Sequence, residues 1–437
     1  MSSKNLDILR SQIKGELHTD ELHKLLYATD ASVYREVPLG VCFPKDTEDL
    51  KIIVKYCSEH GISLIPRAGG TSLAGQCVGN GLVVDVSKHM NQIIRLNKEA
   101  KSVTLQPGVI RDELNHFLKA DGLFFGPNTS TANRAMIGGM VGNNSCGSTS
   151  IVYGSTRDHV VELKMIMSDG KEVLFKAVSN EEFDEKCKLD SLEGRVYQFL
   201  HARLRDQNIK DQIIAEFPKS SVKRRNTGYA IDAVLNSSVF SPGEKPFNLC
   251  ELICGSEGTL GIISEITLNV VDLPPQHEVL VALQFDSVAD SLGVIPAIMT
   301  HAPFACELMD KTILDCTKGQ RLYEKDRSFL KGDPAAVLLV SMVHDEKSEA
   351  RKRVEGLIHA LEAEDVNFRY TVVEENVNRI WNLRKAGLGL LANLPGDKKA
   401  VACIEDTAVA IEDLRQPRTI DKLVGKGAKV GIRQGLE

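Results

Sequence analysis

The sequence predicts an α+β protein of two domains, and three observations support this fold class. Glycine-rich segments at 66–76, 126–154 and 254–263 each lie beside a predicted strand. Leu273-Pro274-Pro275 has the composition of a linker, and predicted strands and helices alternate regularly after it. A chain of 437 residues is long enough for two or three domains of roughly 150 residues each. We therefore expect a glycine-rich first domain and a second domain whose antiparallel sheet carries helices on one face.

Composition excludes several classes of protein. Hydrophobic residues make up 43% and charged residues 26% of the chain, as in ordinary globular proteins. A net charge of −6 argues against nucleic-acid binding, and the polar start and short apolar runs predict neither a secretory signal nor a transmembrane segment. We expect a cytoplasmic protein. Its 10 cysteines lack the spacing of a metal or iron–sulfur site, so we expect buried, reduced thiols and no metal.

The first elements form a small α/β unit. Val41–Phe43, Ser63–Ile65 and Leu82–Val86 are short apolar runs of strand type. Asp46 precedes a helix predicted from about Thr47 to His60, because an aspartate at this position can cap the first turn. The apolar stripe of that helix consists of Leu50, Ile53, Val54 and Cys57.

The segment from Pro66 to Gln76 is predicted to bind an anion. Gly69 and Gly70 allow backbone N–H groups to converge on a phosphate, and Arg67 adds charge-assisted hydrogen bonds worth roughly 1.5–3 kcal/mol each. Thr71 and Ser72 add hydroxyl donors. The segment matches neither the Walker A pattern nor the dinucleotide fingerprint. A tight turn with a solvent-facing arginine is the alternative if the segment is considered alone.

Two more segments of the same kind follow. After a strand at Val103–Gln106 and a helix at about Ile110–Asp121, residues 126–154 have too little apolar periodicity for long elements and the composition of a ligand-lining loop. Strand Val160–Met167 ends in a hairpin signal, and the segment 254–263 leads into strand Glu265–Val270. One extended, phosphate-containing ligand would account for all three segments, although plain turns are the alternative for 126–154.

The second domain is predicted from regular alternation. Its apolar runs have strand length, and the segments between them have helical periodicity. The strands are Val279–Phe285, Ala305–Met309, Ala336–Val343 and Asn367–Val373, and the helices are Ser287–Thr300, most of Asp310–Glu324, and Glu346–Ala363.

Four motifs together resemble the FAD-binding domain of the p-cresol methylhydroxylase type. They are Arg67–Leu73, Ile137–Asn144, Tyr153-Gly154 and Gly255–Ile262. Within that family the chain is most similar to the branch that holds glycolate oxidase FAD subunits, D-lactate dehydrogenases and D-2-hydroxyglutarate dehydrogenases. The resemblance implies a helical leader at 1–34, a two-subdomain FAD domain at 35–272 divided near residue 100, a ferredoxin-like α+β substrate cap at 273–414, and an atypical tail at 415–437.

The resemblance also implies which residues hold FAD. Covalent members often carry histidine after the paired glycines, and this chain has Thr71 there, so we expect non-covalent FAD. The residues expected to bind the cofactor are Pro66, Arg67, Ala68, Gly69, Gly70, Thr71, Ser72, Gly75, Pro127, Thr129, Gly138, Gly139, Gly142, Asn143, Asn144, Gly147, Tyr153, Gly154, Glu257, Gly258, Gly261 and Ile262.

For the substrate, the resemblance implies a D-2-hydroxy acid that is oxidised by hydride transfer from Cα to flavin N5. Arg384, in Trp381-Asn382-Leu383-Arg384, matches the arginine that holds the substrate carboxylate. Lys399 (or Lys398) is a second candidate contact, with a solvated loop lysine as the alternative. Asn226, in the segment Arg225–Tyr229, is expected near flavin and substrate. The small hydroxy acid and an electron acceptor or iron–sulfur protein are the expected partners.

The chain departs from the family after residue 410. Family members continue with a Gly-His motif whose histidines bind a divalent metal or act at the substrate hydroxyl, and here the last of 11 histidines is His359. The segment 415–437 is polar and glycine-dotted, as a truncation or a shifted reading frame would make it. No catalytic residue can therefore be assigned. The sequence leaves two functions open: an FAD-dependent 2-hydroxy-acid dehydrogenase, or a flavin-binding fragment without catalysis.

Overall fold

The chain forms two compact units. A computed structural model describes residues 4–225, 228–243, 245–392, 396–397 and 408–414. The first unit draws its residues from 1–145, 155–218 and 225–272, and the second from 146–154, 219–224 and 273–437.

Four short strands form the first sheet of the first unit: β1 (Glu16–His18), β2 (Gly40–Phe43), β3 (Leu64–Arg67) and β4 (Leu82–Asp85). Their order is β1-β2-β4-β3, with β4 parallel to β2 and β3, and β1 antiparallel to β2. Three helices accompany them: α1 (Lys4–Gln12), α2 (Glu21–Leu26) and α3 (Thr47–Glu59). The leader thus contributes a strand as well as helices.

Helix α3 forms as predicted from the sequence. The Asp46 side chain accepts a hydrogen bond from the backbone N–H of Asp49, at 3.1 Å, and caps the helix. The predicted stripe of Leu50, Ile53, Val54 and Cys57 is buried. The fully buried Asp49 carboxylate accepts hydrogen bonds from the backbone N–H groups of Lys14, Gly15 and Lys45, each at 2.8 Å. These bonds fix the leader against the first sheet.

The second sheet of this unit is antiparallel. The strands of the region are β5 (Ile93–Asn97), β6 (Ser102–Leu105), β7 (Leu123–Phe124), β8 (Val160–Ile166), β9 (Glu172–Val178), β10 (Phe247–Asn248), β11 (Ile262–Asn269) and β12 (Val271–Asp272). Six of them follow the order β10-β9-β8-β11-β6-β5, and β7 pairs separately with β12. Strand β5 ends before the subdomain division that is predicted near residue 100, but it pairs with β6 and therefore belongs to the second sheet.

Several helices lie between these strands. They are α4 (Arg111–Leu118), α5 (Ile137–Asn143), α6 (Ser150–Tyr153), α7 (Asn180–Cys187), α8 (Leu192–Leu204), α9 (Gln207–Glu216), α10 (Ile231–Leu235) and α11 (Cys250–Ile253), and α6 belongs to the second unit. The passage 126–154, predicted to lack long elements, contains only the short α5 and α6. No helix is predicted from the sequence for residues 180–253, and in the structure α7 to α11 lie there and pack around Phe175, Phe183, Tyr197 and Phe247.

The second unit is built on an antiparallel sheet of four strands: β13 (His277–Phe285), β14 (Ala305–Asp310), β15 (Ala336–His344) and β16 (Arg369–Val373), in the order β14-β15-β13-β16. Its helices are α12 (Val288–Gly293), α13 (Ile295–Thr300), α14 (Lys311–Cys316), α15 (Lys347–Glu362) and α16 (Val377–Ala392). The four predicted strands are confirmed.

The prediction of helices on one face of this sheet is wrong. Val281 and Leu283 of β13 pack in one core with α12, α13 and α15, and Leu280 and Ala282 pack in another with α14 and α16. The near-continuous apolar run of β13 is typical of a strand that is buried on both faces.

Two predicted helices of this unit are shorter in the structure. The helix predicted at 287–300 is divided at Val294, because Pro296 lacks the N–H that a continuous helix would use. The helix predicted over most of 310–324 ends at Cys316, and Gly319 follows with a φ of +70° that a helix does not allow.

The nine described cysteines are free thiols, as predicted. Burial raises the pKa of Cys57, Cys77, Cys254 and Cys306 to about 12, so these thiols stay protonated and unreactive at neutral pH. Within the described part of the chain, no helix is both long and apolar enough for a membrane crossing.

Candidate functional site

Those parts of the three glycine-rich segments that belong to the first unit lie close together. A Cβ added to Gly69 of the first segment would lie 2.7 Å from the carbonyl oxygen of Arg134, just before α5. One added to Gly258 of the third segment would lie 3.0 Å from Cγ of Pro66. The backbone N–H of Glu257 donates to the carbonyl of Gly142, at 2.9 Å. Segments that are up to 192 residues apart along the chain, as Pro66 and Gly258 are, therefore lie at one place, as a single extended ligand requires.

Helix α5 presents glycines whose side-chain space is open. At Gly139 an added Cβ would meet only Cβ of Ala68, at an ordinary 3.5 Å, and at Gly142 the nearest atom would be Cα of Glu257, at 3.9 Å. Gly138 differs, because an added Cβ would lie 2.5 Å from Cβ of Pro107. Packing thus requires glycine at 138 but not at 139 or 142. Glycine at those two positions leaves space in which a ligand could approach the helix backbone closely.

Polar side chains fix the second and third segments to each other. Asn143 donates from Nδ2 to Oε1 of Glu257, at 3.0 Å, and accepts at Oδ1 from the Ser145 hydroxyl, at 2.9 Å. Glu257 has a φ of 52°, which is uncommon outside glycine, and residues in such conformations cluster at ligand sites. Asn144 is only 1% exposed, and its Oδ1 accepts from the backbone N–H of Arg157, at 2.8 Å. Asn144 therefore has a structural role in the loop.

Arg67 is held by the protein itself. Its Nη1 donates to the carbonyl oxygen of Thr29, at 2.9 Å, and the guanidinium lies over the ring of Tyr27, 4.9 Å from the centroid. Gly70, with a φ of 60°, covers the guanidinium so closely that an added Cβ would lie 2.7 Å from it. These contacts set the position of the charge, and its contact with a phosphate stays a prediction.

The Pro127 to Thr129 stretch contributes a free hydroxyl. Arg111 donates from Nε to the carbonyl of Pro127, at 3.1 Å, and fixes the stretch. The hydroxyl oxygen of Thr129 is buried and has no hydrogen-bond partner among the described residues. Buried polar atoms without a partner are rare in native proteins, and a bound ligand would supply the partner here.

The other predicted cofactor residues fall into two groups. Ala68, Thr71, Ser72, Gly75, Gly261 and Ile262 belong to the first unit, in or next to the first and third glycine segments. Gly147, Tyr153 and Gly154 belong to the second unit, where the Tyr153 ring packs edge-on against Phe304, with centroids 5.9 Å apart. Burial raises the pKa of the Tyr153 phenol.

Sequence reasoning missed Arg157, which connects several parts of the site. It donates from Nε to the carbonyl of Glu251, at 3.0 Å, and from Nη2 to that of Cys254, at 2.7 Å. Its Nη1 donates to the carbonyl of Arg225, at 3.4 Å. These carbonyls lie 68 to 97 residues away along the chain, so no local pattern in the sequence indicates the role.

We expect Arg157→Lys to destabilise the first unit and to weaken cofactor binding. Lysine lacks the planar guanidinium of arginine, so it cannot donate to three carbonyls that lie in different directions. Each charged hydrogen bond that is lost costs about 1.5–3 kcal/mol. Urea unfolding and cofactor titration measure the two effects. Arg195→Lys, at an exposed position of α8, is the control. Equal stability of the Arg157 variant and the control would contradict this role.

In the second unit, Arg384 of α16 forms a buried ion pair with Glu307 of β14. Nε and Nη2 of Arg384 lie 2.7 and 2.6 Å from the same oxygen, Oε2 of Glu307. The side chains are 16% and 1% exposed. One helical turn earlier, Trp381 donates from Nε1 to Oε1 of Glu278, at 2.9 Å. The motif around Trp381 thus attaches α16 to two carboxylates of the sheet.

Two predicted substrate residues, Asn226 and Lys399, lie outside the described residues, as does the alternative Lys398. Tyr229, from the same motif as Asn226, is described. Its hydroxyl is hydrogen-bonded to the hydroxyl of Thr259 in the third glycine segment. This part of the motif therefore lies at the meeting place of the glycine segments.

Comparison with known proteins gives the family. Residues 38–175 match the FAD binding domain model, and residues 274–423 match the model of the C-terminal domain of FAD linked oxidases. The chain belongs to the FAD-linked flavoproteins of the p-cresol methylhydroxylase type. It is 33% identical to D-2-hydroxyglutarate dehydrogenase of Pseudomonas putida over 421 aligned residues. The aligned region covers 94% of this chain and 41% of that protein.

One further relative and one solved structure are also similar to this chain. The chain is 25% identical to glycolate oxidase subunit GlcD of Bacillus subtilis, over 94% of this chain and 73% of that protein. The solved structure of an alkyldihydroxyacetonephosphate synthase has the same fold, with a TM-score of 0.62 at 15% identity over 90% of this chain and 64% of that one. The chain spans about two fifths of the length of the D-2-hydroxyglutarate dehydrogenases that it matches.

The cofactor of this FAD-binding domain fits the residues of the first unit. The open space at Gly139 and Gly142 and the buried hydroxyl of Thr129, which has no hydrogen-bond partner among the described residues, suit an extended phosphate-containing molecule. The predicted cofactor, FAD, is thus confirmed by the family, and the contacts of individual residues with it stay predictions.

Proposed function

We propose that this chain is the flavin-binding and substrate-binding part of an FAD-dependent dehydrogenase of D-2-hydroxy acids, in the class of lactate, glycolate and 2-hydroxyglutarate. FAD supplies the redox chemistry when it is bound, by accepting the hydride that leaves Cα of the hydroxy acid. The names of the relatives support this class of substrate. The structural observation that supports it most is the buried pair of Arg384 and Glu307.

The pair suits the recognition of a carboxylate. A guanidinium is planar and binds carboxylates through two parallel hydrogen bonds, provided that its plane is fixed. Glu307 contacts Arg384 at Nε and Nη2, so it fixes that plane. We assign the substrate carboxylate to the guanidinium of Arg384, and we keep Lys399 and Asn226 as further substrate contacts.

The buried charge of Glu307 has a second consequence. Burying a carboxylate that is 1% exposed is costly unless a positive partner pairs with it, so removing Arg384 would leave Glu307 as an uncompensated buried charge. Glu307 is therefore a positioning residue for the arginine that binds the substrate. An electron acceptor, such as an iron–sulfur protein, would reoxidise the flavin in this proposal.

The proposal is tested by anaerobic mixing of the FAD-loaded chain with D-2-hydroxyglutarate, D-lactate or glycolate. We expect one of these acids to bleach the absorbance of oxidised flavin, because hydride transfer reduces it. The matching L-enantiomers, where they exist, are the control for stereospecificity. Acid precipitation should release the FAD, since Thr71 stands where covalent relatives carry histidine.

A chain that holds FAD and is bleached by none of these acids would contradict the dehydrogenase proposal. That result would instead favour the second function considered from the sequence, a flavin-binding fragment without catalysis. A chain that binds no FAD at all would exclude both.

A further inference from the structure

A cluster of imidazoles and carboxylates lies at the junction of β1 and α2, and neither FAD nor the substrate accounts for it. His18 ends β1, Asp20 caps α2, and His23 belongs to α2. One ligand atom from each of these residues lies within 4.8 Å of the other two. The side chains of both histidines are 29% exposed, so an ion can reach them.

From this geometry we propose that His18, Asp20 and His23 bind a divalent transition-metal ion of the Zn²⁺ class. Two imidazole nitrogens and one carboxylate oxygen are a ligand set that zinc prefers, with water in the fourth position. Imidazole ligands also disfavour Mg²⁺ and Ca²⁺, which take oxygen ligands. The proposed ion is bound through Nδ1 of each histidine and one oxygen of Asp20.

Asp20 lies between the two Nδ1 atoms. Its Oδ2 is 2.9 Å from Nδ1 of His23 and 3.8 Å from Nδ1 of His18. The first distance is that of a hydrogen bond, in which the N–H at Nδ1 of His23 is the donor and the Asp20 carboxylate is the acceptor. The second is too long for one. A bound metal ion would replace the proton at Nδ1 of His23. It would lie near the Asp20 carboxylate and the Nδ1 atom of His18.

Glu16 provides the partner that metal-binding histidines usually have. Its Oε2 lies 3.2 Å from Nε2 of His18, so His18 donates from Nε2 and keeps the lone pair on Nδ1. The other oxygen of Glu16 contacts Lys88 at 2.5 Å and His89 at 3.3 Å, which fixes the carboxylate. Carboxylate, imidazole and metal would then form the arrangement that orients the ring and strengthens it as a ligand.

Binding requires a small movement of the rings. The His18 and His23 rings are stacked, with centroids 3.8 Å apart and an angle of 12° between their planes. A bound ion lies in the plane of each ring, and two nitrogens on one tetrahedral zinc are about 3.3 Å apart. Both rings, each 29% exposed, would have to turn about their side-chain bonds until the two Nδ1 atoms point at one ion.

The test is a titration of the untagged, chelator-treated chain with Zn²⁺, followed by calorimetry, with Co²⁺ as a spectroscopic probe. We expect one zinc per chain, a higher melting temperature with zinc, and visible absorption from bound Co²⁺. His18→Gln, His23→Gln and Asp20→Asn should each lose most of the affinity. Glu16→Gln should weaken binding by about 10–100-fold, as changes to the partner of a ligand do.

The matched control is His359→Gln. His359 lies on α15 with its side chain 93% exposed, far along the chain from the cluster. Its variant should bind zinc as the unchanged chain does. Equal zinc affinity in the His18, His23 and Asp20 variants, or no stoichiometric binding by the unchanged chain, would overturn the proposal. Circular dichroism of the zinc-free variants shows whether a loss of affinity comes from misfolding instead. None of these readouts depends on flavin or on activity.

Discussion

Gly139→Ala and Gly142→Ala should weaken FAD binding strongly while they stabilise the cofactor-free chain. Both glycines lie in α5, where alanine is intrinsically better than glycine by roughly 0.8–1.0 kcal/mol. The protein itself has room for the methyl group, since the nearest atoms to an added Cβ are 3.5 and 3.9 Å away. A methyl group that overlaps a bound ligand costs about 1–3 kcal/mol, which corresponds to about 5–150-fold in the dissociation constant.

Two glycine variants serve as controls for this experiment. Gly356→Ala changes an exposed glycine of α15 with no atom near its added Cβ, so it should raise stability and leave FAD affinity unchanged. Gly138→Ala should lower stability, because its Cβ would lie 2.5 Å from Pro107. Thermal unfolding of the cofactor-free chain and titration with FAD separate the two effects. An unchanged FAD affinity in both the Gly139 and the Gly142 variant would show that the cofactor does not use this space.

Arg384→Lys should raise the KM for the active hydroxy acid by about 10–100-fold, while FAD affinity stays the same. Lysine keeps the positive charge next to Glu307 but loses the planar fork that binds a carboxylate through two hydrogen bonds. Two charged hydrogen bonds of about 1.5–3 kcal/mol each are weakened, which accounts for this range. Steady-state kinetics with the acid that bleaches the flavin give the KM. Arg379→Lys, at an exposed position on the same helix, is the matched control.

The ion pair decides which variants of Arg384 can be interpreted. Arg384→Ala alone would leave Glu307 charged and buried, and breaking a buried pair in this way costs about 3–5 kcal/mol. The double variant Arg384→Met with Glu307→Gln removes both charges and should be more stable than Arg384→Ala. Glu307→Gln alone should raise the KM, because the guanidinium plane is no longer fixed by a carboxylate. A KM unaffected by either Arg384→Lys or Glu307→Gln would remove the pair from the substrate site.

Local signals in the sequence were enough for the elements that a short stretch of chain determines. Asp46 and the apolar stripe after it indicate α3, and the structure has that cap and that buried face. The strands of the second domain follow from apolar runs in the same way. Where local chemistry was overlooked the predictions were wrong, as at Pro296, which divides one predicted helix, and at Gly319, which follows the end of another.

The sequence by itself determined the fold class and the three glycine-rich segments, because these depend on residue type and spacing within each segment, and Arg384 became a candidate because its motif resembles one of the family. Only the tertiary structure decided which side chains hold the segments together. Arg157 bonds to carbonyls up to 97 residues away, and Arg384 pairs with a glutamate 77 residues away. It also decided that β13 is covered on both faces. The physical reason is that a partner of this kind depends on how distant elements pack, and no single stretch of sequence contains that information.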